Sequence, residues 1–329
     1  MQGGAPMADQ KAISEADKKV LAETARRTRR GFLSGGAVLA ALAVGYRIFD
    51  RAAPIGMLRR PLRAAEDLNA AIAEHLLGEK TLAVTYPAQR ATHKPMPYGD
   101  VGLRKDLDPA SWRLQLTGLE DPQRHAGFVP DVAVWQYRYA AAFEKAAEGV
   151  DRESGSPSFA MENKLANQEE GSQADSLAGS ISAGETPGLL LTLADLQKLP
   201  FVEQATEFKC IEGWSQIVHF GGVRFRDFME AYPPRRTANG ALPGYAAIST
   251  PDGTFYGGYE MAALLHPQTL LCFQMSGKDL TPAHGAPLRL AMPLKYGYKQ
   301  IKQIGRITYT DTKPADYWAS KGYDWHGGL

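Results

Sequence analysis

Trp112-Arg113-Leu114-Gln115-Leu116 and Pro287-Leu288-Arg289-Leu290-Ala291-Met292 set the texture of the chain from about residue 81 onward: short alternating or apolar runs, broken by glycine and proline. Side chains that alternate at a period of two predict strands with one face buried. Helical patterns are fewer. They are expected over residues 193–199, behind Thr192 as a capping residue, over 225–232 and over 260–265. The expected class is α+β, mixed and strand-rich, with residues 81–329 as one domain.

The composition agrees with a globular domain, with 44% of the 329 residues hydrophobic and 9% aromatic. A formal net charge of +1 offers no basic field, so nucleic acid is not expected as a partner. Cys210 and Cys272 are the two cysteines. They can build neither a disulfide framework nor a CxxC zinc or haem attachment site, and any metal has to arrive with its own cofactor or use other ligands.

Thr28-Arg29-Arg30-Gly31-Phe32-Leu33-Ser34, followed by the apolar stretch 35–45, matches a twin-arginine export signal. Residues 1–53 are therefore read as that signal, with the twin-arginine export machinery as partner and the periplasm as destination. The alternative is a chance basic turn before a short buried helix. After the apolar run there is no small-x-small cleavage site, and Pro54 hinders cutting after Ala53. Cleavage and retention as an inner-membrane anchor both stay open, since residues 32–49 have about the shortest length that crosses a bilayer, with Arg47 snorkelling. Residues 54–80 are read as a helical spacer, in which Leu68, Ile72, His75 and Leu76 share a face that ends at Gly78.

Residues 121–187 interrupt the strand pattern as an insertion. Its second half, 148–187, is rich in Ser, Gly, Gln and acidic residues and is expected to be a mobile surface segment. In its first half Trp135, Tyr139 and Phe143 fall at helical spacing. That predicts a short helix whose aromatic stripe packs on the domain, the alternative being a lid or a docking face.

Chemistry concentrates in Phe208-Lys209-Cys210-Ile211-Glu212-Gly213-Trp214-Ser215. A lone cysteine is most often a small buried hydrophobe, which suits Cys272. Cys210, however, is followed in order by His284-Gly285-Ala286-Pro287-Leu288-Arg289, by Pro293-Leu294-Lys295-Tyr296-Gly297-Tyr298-Lys299-Gln300-Ile301-Lys302, and by Asp316-Tyr317-Trp318 to Gly322-Tyr323. From about Pro109 to the C-terminus, leaving out the insertion, this series resembles the sulfite oxidase family of molybdopterin-dependent oxidoreductases, and within it the bacterial periplasmic methionine sulfoxide reductases.

The resemblance implies a sulfite-oxidase-type fold with one molybdenum and one molybdopterin. The metal would be held by two pterin sulfurs, by oxo or hydroxo groups, and by one soft thiolate, that of Cys210 as metal ligand and catalytic residue. His284, Arg289 and Lys302 would grip the phosphate-bearing pterin. Gly285 and Gly297 would let the backbone approach it, Gln300 and Ile301 would offer main-chain groups, and Thr250 would add a contact. Singly, each has a plainer reading: Arg289 as the outward residue of a strand, His284 as a turn residue, Lys302 as a solvated charge. Tyr98 lies where relatives carry an Asn or Tyr cofactor contact. Tyr323 corresponds to the active-site tyrosine of sulfite oxidases, whose phenol can hydrogen-bond a metal oxo group or move a proton; packing against Trp318 and Trp325 is the alternative.

Sulfite-oxidising relatives place an arginine just after the metal cysteine, whereas here Trp214 and Ser215 follow. A neutral oxo-transfer substrate, such as a sulfoxide or the methionine sulfoxide of a damaged protein, is expected over sulfite. Haem-attachment, flavin and nicotinamide motifs are not visible, so electrons are expected from another protein; the resemblance implies a membrane b-type cytochrome or another quinol-linked donor. Two alternatives stand beside this: a sulfite or other small-molecule dehydrogenase with the same cofactor, and an exported non-enzymatic binding scaffold. Against the scaffold, Cys210, His284, Arg289 and Lys302 are a set with no use in a fold freed of its cofactor.

Overall fold

The computed structural model describes residues 81–103, 107–139 and 186–329, together with scattered positions before residue 69. The twin-arginine run, nearly all of the apolar stretch, Phe143 and the Ser- and Gly-rich half of the insertion lie outside the described residues. Among the described residues no helix is long and apolar enough to cross a membrane. The chain divides into a unit of residues 1–63 and a unit of residues 64–329.

In the first unit β1 (Pro54–Ile55) and β2 (Leu58–Arg59) pair antiparallel. The helical spacer expected from residue 54 therefore does not start there: Pro54, with no N–H to give, opens a strand. Helical positions come later, at Ala64, Ala65 and Leu68.

The second unit is built on two sheets. One has the order β10-β9-β14-β4-β6-β5, formed by β4 (Leu114–Thr117), β5 (Phe128–Val129), β6 (Gly188–Leu191), β9 (Tyr245–Ser249), β10 (Tyr256–Glu260) and β14 (Arg306–Thr310). Its neighbours are antiparallel except β14 and β4, which run parallel with Arg306 opposite Gln115 and Ile307 opposite Leu116. The other sheet has the order β12-β11-β8-β7-β3, with β13 added on β11. It comprises β3 (Thr85–Tyr86), β7 (Phe201–Lys209), β8 (Ser215–Arg224), β11 (Leu270–Met275), β12 (Lys278–Asp279) and β13 (Arg289–Ala291), all antiparallel.

Among the described residues beyond 80, four short helices complete the unit, so the α+β, strand-rich reading agrees with the structure. In α1 (Leu193–Gln197) Thr192 accepts from the Asp195 N–H while Asp195 accepts from the Thr192 N–H, a reciprocal cap that satisfies two otherwise orphan donors. The others are α2 (Phe225–Ala231), α3 (Met261–Leu264) and α4 (Tyr317–Ser320), the last capped by Asp316.

The larger core gathers Leu114, Leu116, Phe225, Phe228, Ile248 and Ile307 among others. Full burial of each such side chain contributes about 1.5–3 kcal/mol. A second, smaller core of Phe208, Val218, Phe220, Leu270 and Cys272 lies in the second sheet. Cys272 is fully buried there, as a small hydrophobe would be.

The aromatic stripe is a correction. Trp135 and Tyr139 are not on a helix: one 3-10 turn, Val132–Val134, ends at Trp135, and Tyr139 forms an isolated bridge with Leu107. Trp135 Nε1 donates to the Ser111 carbonyl at 3.1 Å and the Tyr137 hydroxyl meets the Arg113 carbonyl at 2.7 Å. The repeat that matters is thus two residues, because the segment runs extended past Ser111-Trp112-Arg113. Trp135 and Tyr139 pack on the domain, as expected, with the strand period, and Phe143 lies outside the described residues.

Candidate active site

The antiparallel pairing of β7 and β8 runs to Lys209 opposite Ser215, and residues 210–214 turn the corner. The Cys210 N–H donates to the Trp214 carbonyl at 2.9 Å, and the Gly213 N–H to the Cys210 carbonyl at 3.1 Å. Gly213 has φ +90°, where a side chain is strained, so glycine makes this corner. Cys210 is half-buried against the smaller core. Its Sγ is 3.8 Å from a Glu212 carboxylate oxygen that also accepts from Trp214 Nε1 at 3.0 Å. Burial raises the thiol pKa, the Glu212 backbone N–H opposes this, and the Glu212 carboxylate adds to it. The resting group is a protonated thiol, and a metal has to displace that proton to bind.

Across the same core, β13 carries Arg289, which is completely buried. Its Nη1 donates to the His284 carbonyl at 3.0 Å, its Nη2 to the Tyr98 hydroxyl, and its guanidinium lies 4.9 Å from the Phe220 ring centre. Arg289 Nε has no hydrogen-bond partner. Lys302 Nζ donates to the carbonyls of Gly99 at 2.9 Å, Ala283 at 3.0 Å and Tyr98, and stands 4.6 Å over the Tyr98 ring. Tyr98 is therefore held by two cations. Its ring packs on Phe208 at 4.3 Å and Trp214 at 6.1 Å, which brings it to the cysteine turn.

Among the described residues no carboxylate lies within 4 Å of either cation. Burial, and then the charge of Arg289, pull Lys302 down to about 7, with Asp100 opposing them. Burial, then Arg289 and Lys302, lower His284 as well, which keeps its imidazole neutral. A cavity of about 630 Å³ opens beside this cluster, lined by Tyr98, Asp100, Ala283, Pro287, Lys302 and Gln303 among others.

The remaining expected residues divide. Gln300 and Ile301 are buried, and their groups serve the protein: Gln300 N–H donates to the Gly297 carbonyl, and the Ile301 carbonyl accepts from Leu290 N–H, both at 2.9 Å. Gly297 and Gly285 are needed for close approach, but of protein. A Cβ on Gly297 would stand 2.1 Å from Phe208 Cζ, and one on Gly285 would stand 2.6 Å from Lys302 Cβ. Thr250 is buried with its hydroxyl donating to Asp252 at 2.7 Å, and it does not line the cavity. Tyr323 does not line it either; its ring packs edge-on to Trp318 at 5.1 Å and against Tyr298 at 5.6 Å.

Phe208, the link between the cysteine turn and Gly297, was not singled out from sequence, nor was the buried pair of Lys299 and Asp316, whose charged atoms are 2.6 Å apart. The apolar residues flanking Lys299 in Tyr296-Gly297-Tyr298-Lys299-Gln300-Ile301 are the available signal.

The donor set fits a phosphate-bearing cofactor that brings most of its own metal ligands. Two buried cations lack a carboxylate, Arg289 Nε is left over, and a cavity adjoins them. Among the described residues no group of three or more His, Cys, Asp and Glu could hold a metal; a cofactor that brings its own metal ligands would need from the protein only one sulfur, which Cys210 would give. Arg289, Lys302 and His284 would hold the pterin.

Residues 180–318 match the family model described as oxidoreductase molybdopterin binding domain. This segment is similar to that domain over 139 of the 329 residues, and it contains Cys210, Thr250, His284, Arg289, Gly297, Gln300, Ile301 and Lys302, leaving Tyr98 and Tyr323 outside.

The chain is 38% identical over 137 residues to a protein of Azospira oryzae named for a subunit of protein-methionine-sulfoxide reductase, YedZ1, over 42% of this chain and 50% of that one. It is 35% identical over 143 residues to the protein-methionine-sulfoxide reductase catalytic subunit MsrP of Campylobacter jejuni, over 40% and 48%. The matched part thus spans about half the length of these curated relatives. Among solved structures, sulfane dehydrogenase SoxCD from Paracoccus pantotrophus aligns with a TM-score of 0.37 at 14% identity, over 71% of this chain and 46% of that chain.

Proposed function

We propose that the chain is the catalytic part of a molybdopterin-dependent oxidoreductase that removes the oxygen atom of a sulfoxide-type substrate such as methionine sulfoxide. The observation that carries this is the pair Arg289 and Lys302, both buried and both in contact with Tyr98 with no carboxylate in reach, inside a segment that matches a molybdopterin-binding domain. When bound, the molybdenum cofactor supplies two-electron oxygen-atom transfer. Two electrons and two protons turn the sulfoxide into a sulfide and water.

The protein's own contribution is positioning. Arg289 and Lys302 hold the phosphate by charge-assisted bonds, neutral His284 adds a contact without a further charge, and Cys210 gives the thiolate. The choice of a sulfoxide over sulfite rests on the cysteine turn. The Glu212 carboxylate 3.8 Å from Cys210 Sγ, in place of a cation, disfavours an anionic substrate and leaves a neutral one unaffected. The names of the two relatives point the same way.

The rest of the proposal concerns cellular context. Thr28-Arg29-Arg30-Gly31-Phe32-Leu33-Ser34 supports export through the twin-arginine machinery to the periplasm, with residues 1–53 as signal or retained anchor. Residues 81–329 act as the catalytic domain, and electrons come from a membrane b-type cytochrome or another quinol-linked donor.

The test is oxygen transfer by cofactor-loaded protein with reduced viologen as donor. Reduction of methionine sulfoxide is expected. Failure to move oxygen to or from any sulfur compound would contradict the proposal, and sulfite-driven reduction of a cytochrome would replace it with a dehydrogenase.

A further inference from the structure

Lys299 is 1% exposed and takes no part in the cluster around Tyr98. Its ammonium carries three protons, and three acceptors meet them: Asp316 Oδ2 at 2.6 Å, the Gly258 carbonyl at 2.7 Å and the Trp325 carbonyl at 2.7 Å. These come from three separate segments: β10, the cap of α4 and the C-terminal loop. The Tyr259 and Trp325 rings face the same ammonium at 4.8 and 4.9 Å.

Lys299 also closes the 3-10 turn Gly297–Lys299, whose next three residues are Gln300, Ile301 and Lys302. The C-terminal loop grips the other side of this turn. Tyr298 donates its hydroxyl proton to the Asp324 carbonyl at 2.8 Å, and Tyr296 N–H donates to the Gly327 carbonyl at 2.9 Å. Asp324, Trp325 and Gly327 all lie beyond the matched residues 180–318.

Taking an ammonium and a carboxylate out of water costs several kcal/mol per ion, and apolar side chains could fill the same space at no such cost. What the ion pair adds is direction: one atom fixed from three sides leaves the turn a single arrangement. We propose that Lys299 is a positioning residue for the anion-binding loop, locking residues 300–302 to the C-terminal segment so that residues beyond the matched domain set where Lys302 stands. This rests on the reading of Lys302 as a cofactor-holding cation.

The experiment uses full-length protein from cells that make the cofactor, comparing wild type, Lys299→Arg, Asp316→Asn, and Lys299→Met combined with Asp316→Asn. The asparagine keeps the cap of α4, and the double variant leaves no unpaired buried charge. Hydrogen exchange of residues 296–304 and 322–328 is read beside bound pterin per folded chain. In the double variant both segments are expected to lose protection together while β7 and β8 keep theirs, and bound pterin is expected to fall roughly tenfold, the weight of one charge-assisted bond. Asp316→Asn is expected to fall between, and Lys299→Arg to recover part of the pterin. Opening of 322–328 alone, or pterin equal to wild type in the double variant, would overturn the proposal. If wild type itself holds no pterin the functional reading fails, and the exchange pattern still decides whether Lys299 couples the two segments.

Discussion

Gly297 lies against the ring of Phe208 so closely that a Cβ on it would stand 2.1 Å from Phe208 Cζ. Phe208 sits two residues before Cys210, and Gly297 opens the turn that leads to Lys302, so this contact sets the metal-side loop against the cation-side loop. Gly297→Ala is expected to displace the ring and lower stability by about 1–3 kcal/mol, the usual cost of overpacking. Urea unfolding followed by tryptophan fluorescence checks this, since Trp214 lies 5.7 Å from the Phe208 ring. An unchanged midpoint would mean that the contact is slack.

Lys302→Met and Arg289→Met are each expected to reduce bound pterin by about tenfold or more, because each removes a charge-assisted grip of roughly 1.5–3 kcal/mol. Lys302 has a pH signature as well. Its folded pKa of about 7 lies below the ordinary 10.5. Below pH 7 both folded and unfolded chains hold the proton; between 7 and 10.5 the unfolded chain holds more, so stability rises with pH through that window. Denaturant titrations of pterin-free protein between pH 7 and 9 should record this rise, and Lys302→Met should flatten it.

A separate buried cluster joins Glu260, His326 and Lys295, with Lys295 Nζ 3.3 Å from Glu260 Oε1 and His326 Nδ1 on the same oxygen. Burial alone would raise the Glu260 carboxyl, but the His326 hydrogen bond and the Lys295 charge outweigh it and leave the group at about 2 instead of 4.5. That depression contributes roughly 3 kcal/mol, fully present above pH 4.5 and lost as pH falls towards 2. Glu260→Gln should therefore lower stability at pH 7 and make little further difference near pH 2, measured by urea unfolding at both.

Glu212→Gln removes the carboxylate beside Cys210 and keeps a hydrogen-bond acceptor for Trp214. For loaded enzyme the KM for sulfite, or sulfite's inhibition constant if it does not react, is expected to fall about fivefold, since one unit charge at about 4 Å in water is worth about 1 kcal/mol. The KM for a neutral sulfoxide should hold. Equal shifts for both would show that Glu212 does not select by charge.

The sequence made some of this legible and hid the rest for physical reasons. Thr192 announces α1 because a cap is a local device, and Leu114 with Leu116 announces β4 because alternation is local too. Trp135 and Tyr139 misled because i and i+4 spacing also fits an extended chain, and only the neighbouring Ser111-Trp112-Arg113 decides between them. Cys210, Arg289 and Lys302 are expected from the order of their motifs, and the fold brings Arg289 and Lys302 to Tyr98, whose ring reaches the cysteine turn. Gly285 and Gly297 signalled close approach correctly, but a glycine does not say what approaches; here it is Lys302 and Phe208. Beyond the apolar residues that flank it, Lys299 carries no local sign of its pairing, because Gly258, Asp316 and Trp325 arrive from other parts of the fold.

Molybdenum and pterin content per folded chain, wild type beside Cys210→Ser, is the most direct measurement of the central claim. About one metal and one pterin per chain in wild type, with metal lost or its redox spectrum altered in Cys210→Ser, is the expected result. Wild-type protein from cofactor-making cells that carries neither metal nor pterin would contradict it.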